Sequence, residues 1–140
     1  MKITASRFIY VPEFVHDGVI EKEAFLPPAR PRPFETSVII HDENGPEWNV
    51  GKKIGALRTH PVSLVGSAEF TSEMASVANL NVEPHPTAIS RNHANLKGWD
   101  EVDKLQRLVQ AEAIASLSEF CIIPPNCERL EIDEERRLAR

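Results

Sequence analysis

Short continuous runs of β-branched and aromatic residues mark the first half of this chain, and later apolar residues recur at the three-and-four spacing of helices. Arg7-Phe8-Ile9-Tyr10-Val11 is rich in β-branched and aromatic side chains and stops at Pro12, which predicts a first strand. His16-Asp17-Gly18 is a turn signal. Val19 to Phe25 then predicts a weaker strand that would pair with the first as a hairpin. Pro27-Pro28-Ala29-Arg30-Pro31-Arg32-Pro33 lacks the N–H groups of a regular ladder and reads as an extended connection. The apolar run Thr36-Ser37-Val38-Ile39-Ile40-His41 suits a central strand, and Val62 to Phe70 predicts a fourth.

Pro46 at a first helical position, with Trp48, Val50 and Ile54 following at helical spacing, predicts a short helix ending near Gly55. Thr71 or Ser72 is placed to cap a second helix carrying Met74, Val77 and Ala78. The strongest pattern opens at Asp100, an N-cap residue followed by Glu101 and Asp103 where the helix dipole favours acids. Val102, Leu105, Val109, Ala113, Leu117 and Phe120 are expected to form its buried stripe, and Pro124-Pro125 ends it. Between these helices, Pro84 to Trp99 shows little periodicity and reads as a long loop. Loops of that length in compact domains are commonly functional.

These elements predict an α+β fold: a small, mostly antiparallel sheet of about four strands with two or three helices on one face. Residues 1–127 are expected to form a single globular domain. Residues 128–140, where acids and arginines surround Leu130 and Ile132, are expected to form a charged C-terminal tail.

Composition narrows the function classes. A length of 140 residues suits one domain with a real core, and 41% hydrophobic with 26% charged residues is a folded composition. The net charge of −5 disfavours bulk binding to nucleic acid, which needs a basic face. Arg30 with Arg32, and Lys52 with Lys53, are small basic patches that read as solvated surface. Cys121 and Cys127 lack the spacing of a zinc framework, and Cys121, beside Ile122 and Ile123, reads as a small buried hydrophobe. With no apolar leader and no window long enough to span a bilayer, a cytoplasmic chain that meets no membrane is expected.

Candidate chemistry concentrates in the 84–99 segment. His93 is the leading acid–base group, since imidazole exchanges a proton near neutral pH. Arg91, Asn92 and Asn95 offer donors to a bound anion or base edge, and Trp99 a ring for stacking. The competing reading has His93 and Asn95 holding loop backbone in place and Trp99 packed in the core. His41, at the end of a central strand beside Asp42, would be a second proton carrier if it met His93. The spacings of His41, His60, His85 and His93 match no compact metal motif, so no metal is expected. No Gly-x-Ser-x-Gly, Gly-x-x-x-x-Gly-Lys-Ser or Gly-x-Gly-x-x-Gly occurs, and no cofactor is implied.

The run Arg91-Asn92-His93-Ala94-Asn95-Leu96-Lys97-Gly98-Trp99 resembles a segment of small uncharacterised bacterial proteins. Gly66-Ser67-Ala68-Glu69-Phe70 and Asn81-Val82-Glu83-Pro84 are similar to the part preceding it in them. The resemblance implies a bacterial or mobile-element origin and no activity.

Two functional readings follow. In one the chain is a noncatalytic accessory protein that binds a protein partner through residues 84–99 and the tail. In the other it is a small enzyme for a nucleotide or other phosphate-bearing substrate, with His93 and His41 exchanging protons and Arg91 holding the anion. Whether it catalyses anything is left open between them. The edges of so small a sheet, or the tail, would offer a surface for a homodimer.

Overall fold

The apolar run at residues 36–41 and the aromatic run at 7–11 do become strands, but they pair with each other rather than with residues 19–25. The computed structural model describes residues 2–30 and 32–124, so the expected tail at 128–140 lies outside the described residues. The main sheet contains β1 (Thr4–Ile9), β4 (Thr36–Ile40), β5 (Gly66–Thr71), β6 (Asn81–Pro84), β7 (His93–Lys97) and β8 (Glu119–Ile122). Their order is β6-β7-β4-β1-β5-β8, every pairing is antiparallel, and the six strands exceed the expected four. Among the described residues three helices accompany them: α1 (Trp48–Ala56), α2 (Ser72–Val77) and α3 (Lys104–Leu117).

The hairpin expected from Asp17-Gly18 exists in miniature. β2 (Val15–His16) pairs with β3 (Val19–Ile20), and Asp17 and Gly18 both take positive φ, at 51° and 79°. Positive φ at both central residues suits a two-residue turn whose twist matches the strands. The turn chemistry was legible; its range was not, because residues 22–24 wind into a 3-10 turn instead of extending β3.

Strand alternation sorts the core into two layers. Ile9 and Val38 join Phe25, Phe70, Leu96 and Trp99 in the larger cluster, which α2 and α3 cover. Phe8 and Ile39, their neighbours in sequence, belong to a second cluster with Leu64, Trp48 and Val50, covered by α1. Two helices therefore share one face and α1 occupies the other. Among the described residues no helix is long and apolar enough to cross a membrane.

Three further sequence expectations are corrected. The 84–99 segment is not one loop: β7 lies inside the sheet between β6 and β4, and only its N-terminal part connects strands. His93, Asn95 and Lys97 alternate with the buried Ala94 and Leu96, so a period of two was present in the sequence. The stripe expected to bury α3 does so only in part: Leu105 and Val109 are exposed, as is Val102 ahead of the helix, while Ala113 and Phe120 pack against the core beside the buried Ala111, Ile114 and Ala115. Small alanines let the helix approach its neighbours closely, and that contact decides which side is buried. Asp103, not Asp100, caps α3 by accepting from Leu105 N at 2.9 Å. Asp100 instead accepts from Val102 N and Asp103 N, and these bonds hold its carboxyl below the usual range.

Candidate functional site: a cationic pocket beside a buried serine–histidine–glutamate cluster

The α1 side of the sheet carries the unusual polar chemistry. β1 and β4 pair through Ala5↔Ile40 and Ser6↔Ile39, and no further ladder joins them. Arg7 occupies the opening. Its Nε donates to Ala24 O and its Nη1 to Ser37 O, each at 2.9 Å, so a guanidinium stands where ladder bonds would have continued. Burial pushes its pKa down to about 10, opposed by Tyr10 and furthered by Arg58. Arg7 stays charged at neutral pH, and that charge is costly where it sits.

A cavity of about 160 Å³ opens at this point. Arg7, Tyr10, Ser37, Arg58 and His93 supply its polar lining; Phe8, Ile39 and Ile54 supply much of the apolar remainder. The Arg58 guanidinium lies 4.2 Å from the centre of the Tyr10 ring, a cation–π contact that fixes its position. Tyr10 Oη donates to Gly51 O at 2.7 Å, and burial raises its pKa. Glycine at 55 is required here: a Cβ would stand 2.6 Å from Val62 O and 2.9 Å from Tyr10 Cε1. Among the described residues no carboxylate forms an ion pair with Arg7 or Arg58.

Beside the pocket, one level of the sheet reads His93, Ile39, Ser6, Glu69, Glu119 across β7, β4, β1, β5 and β8. His41 sits over the middle of this row. Its Nε2 is hydrogen-bonded to Ser6 Oγ and its Nδ1 lies 3.8 Å from Glu69 Oε1. Ser6 Oγ also contacts Ser67 Oγ at 3.4 Å, and the Cys121 thiol donates to Glu69 Oε2 at 3.2 Å. Burial lowers the His41 pKa against the opposing pull of Glu69 and Asp42. Burial, with Glu69 adding to it, raises Cys121 to about 11.

The contact order serine, histidine, carboxylate is that of a hydrolase triad, but the accessibility is not. Ser6 is 0% exposed, in the middle of a central strand, so no acyl carbon can reach its hydroxyl. The arrangement satisfies polar groups inside the sheet. Every buried side-chain nitrogen and oxygen among the described residues has a partner.

The residues singled out from sequence are dispersed. His93 lines the pocket, its Nδ1 2.8 Å from His85 O and its ring edge-on to His85 at 5.7 Å. His41 lies on the same face but takes its contacts from Ser6 and Glu69, and it is not part of the pocket wall. Arg91 is exposed. Asn92 donates to Glu47 Oε1 at 3.0 Å, as does Ser90, which ties the strand connection to the start of α1. Asn95 is buried between Ser37 and Glu83 in register. Trp99 is 2% exposed and donates to Leu96 O, a core position.

Sequence reasoning missed Arg7, Tyr10 and Arg58. The available signal was a charged residue, Arg7, directly before the apolar run Phe8-Ile9 of a central strand. Among the described residues no group of three or more His, Cys, Asp or Glu could hold a metal ion. No protein-family model matches the chain, and neither a curated protein nor a solved structure matches it.

Proposed function

We propose that this chain is a binding domain for a small anion, a phosphate or carboxylate group carried on an apolar or partly exposed body. One observation carries the reading: the half-buried Arg7 cation is held by two carbonyl oxygens and stands in the field of a second cation, Arg58, with no carboxylate ion-paired to it among the described residues. Buried charges are ordinarily paired, and an anion in the adjoining cavity would supply the partner. A volume of about 160 Å³ admits a phosphate or a single ring, comparable to the roughly 150 Å³ apolar cavity that takes up benzene. A whole nucleotide exceeds it, so only the charged end of such a ligand would enter. Of the two readings of the sequence, the phosphate-bearing ligand gains support, with Arg7 and Arg58 in the role first given to Arg91.

His93 is the one acid–base candidate on the pocket wall, and His41 faces elsewhere. Binding therefore stands ahead of catalysis. Calorimetric titration with inorganic phosphate, a nucleoside monophosphate and a small aromatic carboxylate tests this. At least one should bind, and Arg58→Ala should weaken it roughly tenfold, the equivalent of one charge-assisted hydrogen bond. If none of the anions binds, or if Arg58→Ala leaves affinity unchanged, the proposal fails.

A further inference from the structure

Prolines at 27 and 28 take backbone donors out of the stretch that leads to β4, so it runs beside α3 without joining a strand. A cavity of about 200 Å³ is left between the two. Leu26, Pro27, Ala29 and Phe34 supply its wall on the proline side, and Leu108 supplies the apolar part on the α3 side. Lys104 and Arg107 complete the lining, within one turn of Leu108 on the same side of the helix. This cavity is larger than the Arg7 pocket and shares no lining residue with it.

Cations gather here without counterions. The Arg107 guanidinium lies 4.1 Å from the centre of the Phe34 ring and that of Arg32 lies 5.6 Å from it. The two charges therefore stand within about 10 Å of each other, no farther than the screening length of 0.1 M salt. Arg107 Nη1 donates to Asp100 O at 2.8 Å, which fixes that guanidinium over the ring. Lys104 adds a third charge at an exposed position. Among the described residues no carboxylate forms an ion pair with Arg32, Lys104 or Arg107. In a chain of net charge −5 this is a local reversal of sign. An apolar hollow edged by cations complements a molecule with a hydrophobic body and one anionic group. An apolar cavity of roughly 150 Å³ admits a benzene ring, so this one has room for a ring with a short side chain. We propose that this cavity binds a small apolar acid, with the ring or short alkyl body against Phe34 and Leu108 and the carboxylate towards Lys104 and the two arginines. Phe34 belongs to the core cluster that α2 and α3 cover, away from the Arg7 pocket, so the proposal does not depend on the anion reading made there.

Two-dimensional amide NMR of the full chain, titrated with phenylpropionate, tests it. Backbone signals of Ala29, Phe34 and Leu108 should shift together and saturate with a dissociation constant of about 1 mM or below. Phenylpropionamide, the same body without the charge, should bind roughly tenfold more weakly. Lys104→Glu, at an exposed site, should weaken the acid roughly tenfold and leave the affinity for the carboxamide unaltered. Signals of Ile54 and Arg58 read the Arg7 pocket in the same titration, which keeps the two sites separate. Shifts confined to Ile54 and Arg58, equal affinity for acid and carboxamide, or a Lys104→Glu chain that binds the acid as the native one does would each overturn the proposal. So would signals of Phe34 and Leu108 that move with protein concentration before any acid is added, since a second copy would then fill the hollow.

Discussion

Replacing Arg7 with methionine keeps the aliphatic stem and removes the guanidinium. Its bonds to Ala24 O and Ser37 O are lost, and charge-assisted bonds contribute roughly 1.5–3 kcal/mol each. Against that stands the relief of a half-buried charge. A pKa lowered to about 10 corresponds to about 3 kcal/mol of penalty on the charged form. The opposing quantities nearly cancel, leaving a net loss of about 1–2 kcal/mol in buffer free of binding anions. In a domain of this size that lowers Tm by about 3–8 °C. Inorganic phosphate changes the comparison. At a hundredfold excess over its dissociation constant it would stabilise the native chain by about 2.7 kcal/mol and Arg7→Met not at all. The gap between the two proteins should therefore widen to about 4 kcal/mol. Urea denaturation of both, with and without phosphate, measures all four states. A gap that phosphate does not alter refutes the counterion argument. A loss above about 5 kcal/mol without phosphate would make Arg7 a structural tie whose charge needs no partner.

Stability should also depend on pH through His41. Burial holds its folded pKa below the ordinary 6.5, so the unfolded chain takes up the proton first as pH falls. The His41 contribution is complete above about pH 6.5 and is lost as pH drops towards the folded value. His41→Gln should flatten that portion of a stability–pH curve, and an unchanged slope would count against the burial argument. Gly98→Ala should destabilise by about 3 kcal/mol in thermal or urea melts, because φ there is +101° and a Cβ would meet Asn79 O at 2.6 Å. A loss below about 1 kcal/mol would show that the turn relaxes freely. The Cys121 thiol, raised to about 11, should alkylate slowly at pH 8 in peptide-mapped mass spectrometry, and Glu69→Gln should speed the reaction. Equal rates in the two proteins would remove Glu69 as a cause.

Local chemistry was legible in the sequence where one segment decides the outcome. Thr71 does accept from Met74 N to start α2, and Asp17-Gly18 does turn. Failures came where partners distant in the chain decide. Arg7 acquires its role only because Ser37 and Ala24 arrive beside it, and nothing within residues 4–9 announces those carbonyls. α3 misled for a related reason. Amphipathic spacing identifies a stripe of leucine and valine, but closeness of approach selected the alanine side, which spacing cannot reveal. The 84–99 segment was misread differently. Pro84, His85 and Pro86 obscured the alternation that follows in His93 to Lys97.

The placement of β1 between β4 and β5 has a consequence for biosynthesis. The strand made first is the one that needs both neighbours, and Thr4 finds its partner only at Thr71. On a ribosome adding about 5–20 residues per second, Phe8 and Ile9 would wait roughly 3–15 seconds for β5 to appear. The intervening ladders are non-local, which slows closure further. During that interval the nascent chain presents a bare aromatic and aliphatic strand, the kind of segment that chaperones hold. Slower synthesis at reduced temperature should therefore do less for soluble yield than extra capacity to shield residues 4–11 until the centre of the sheet can assemble.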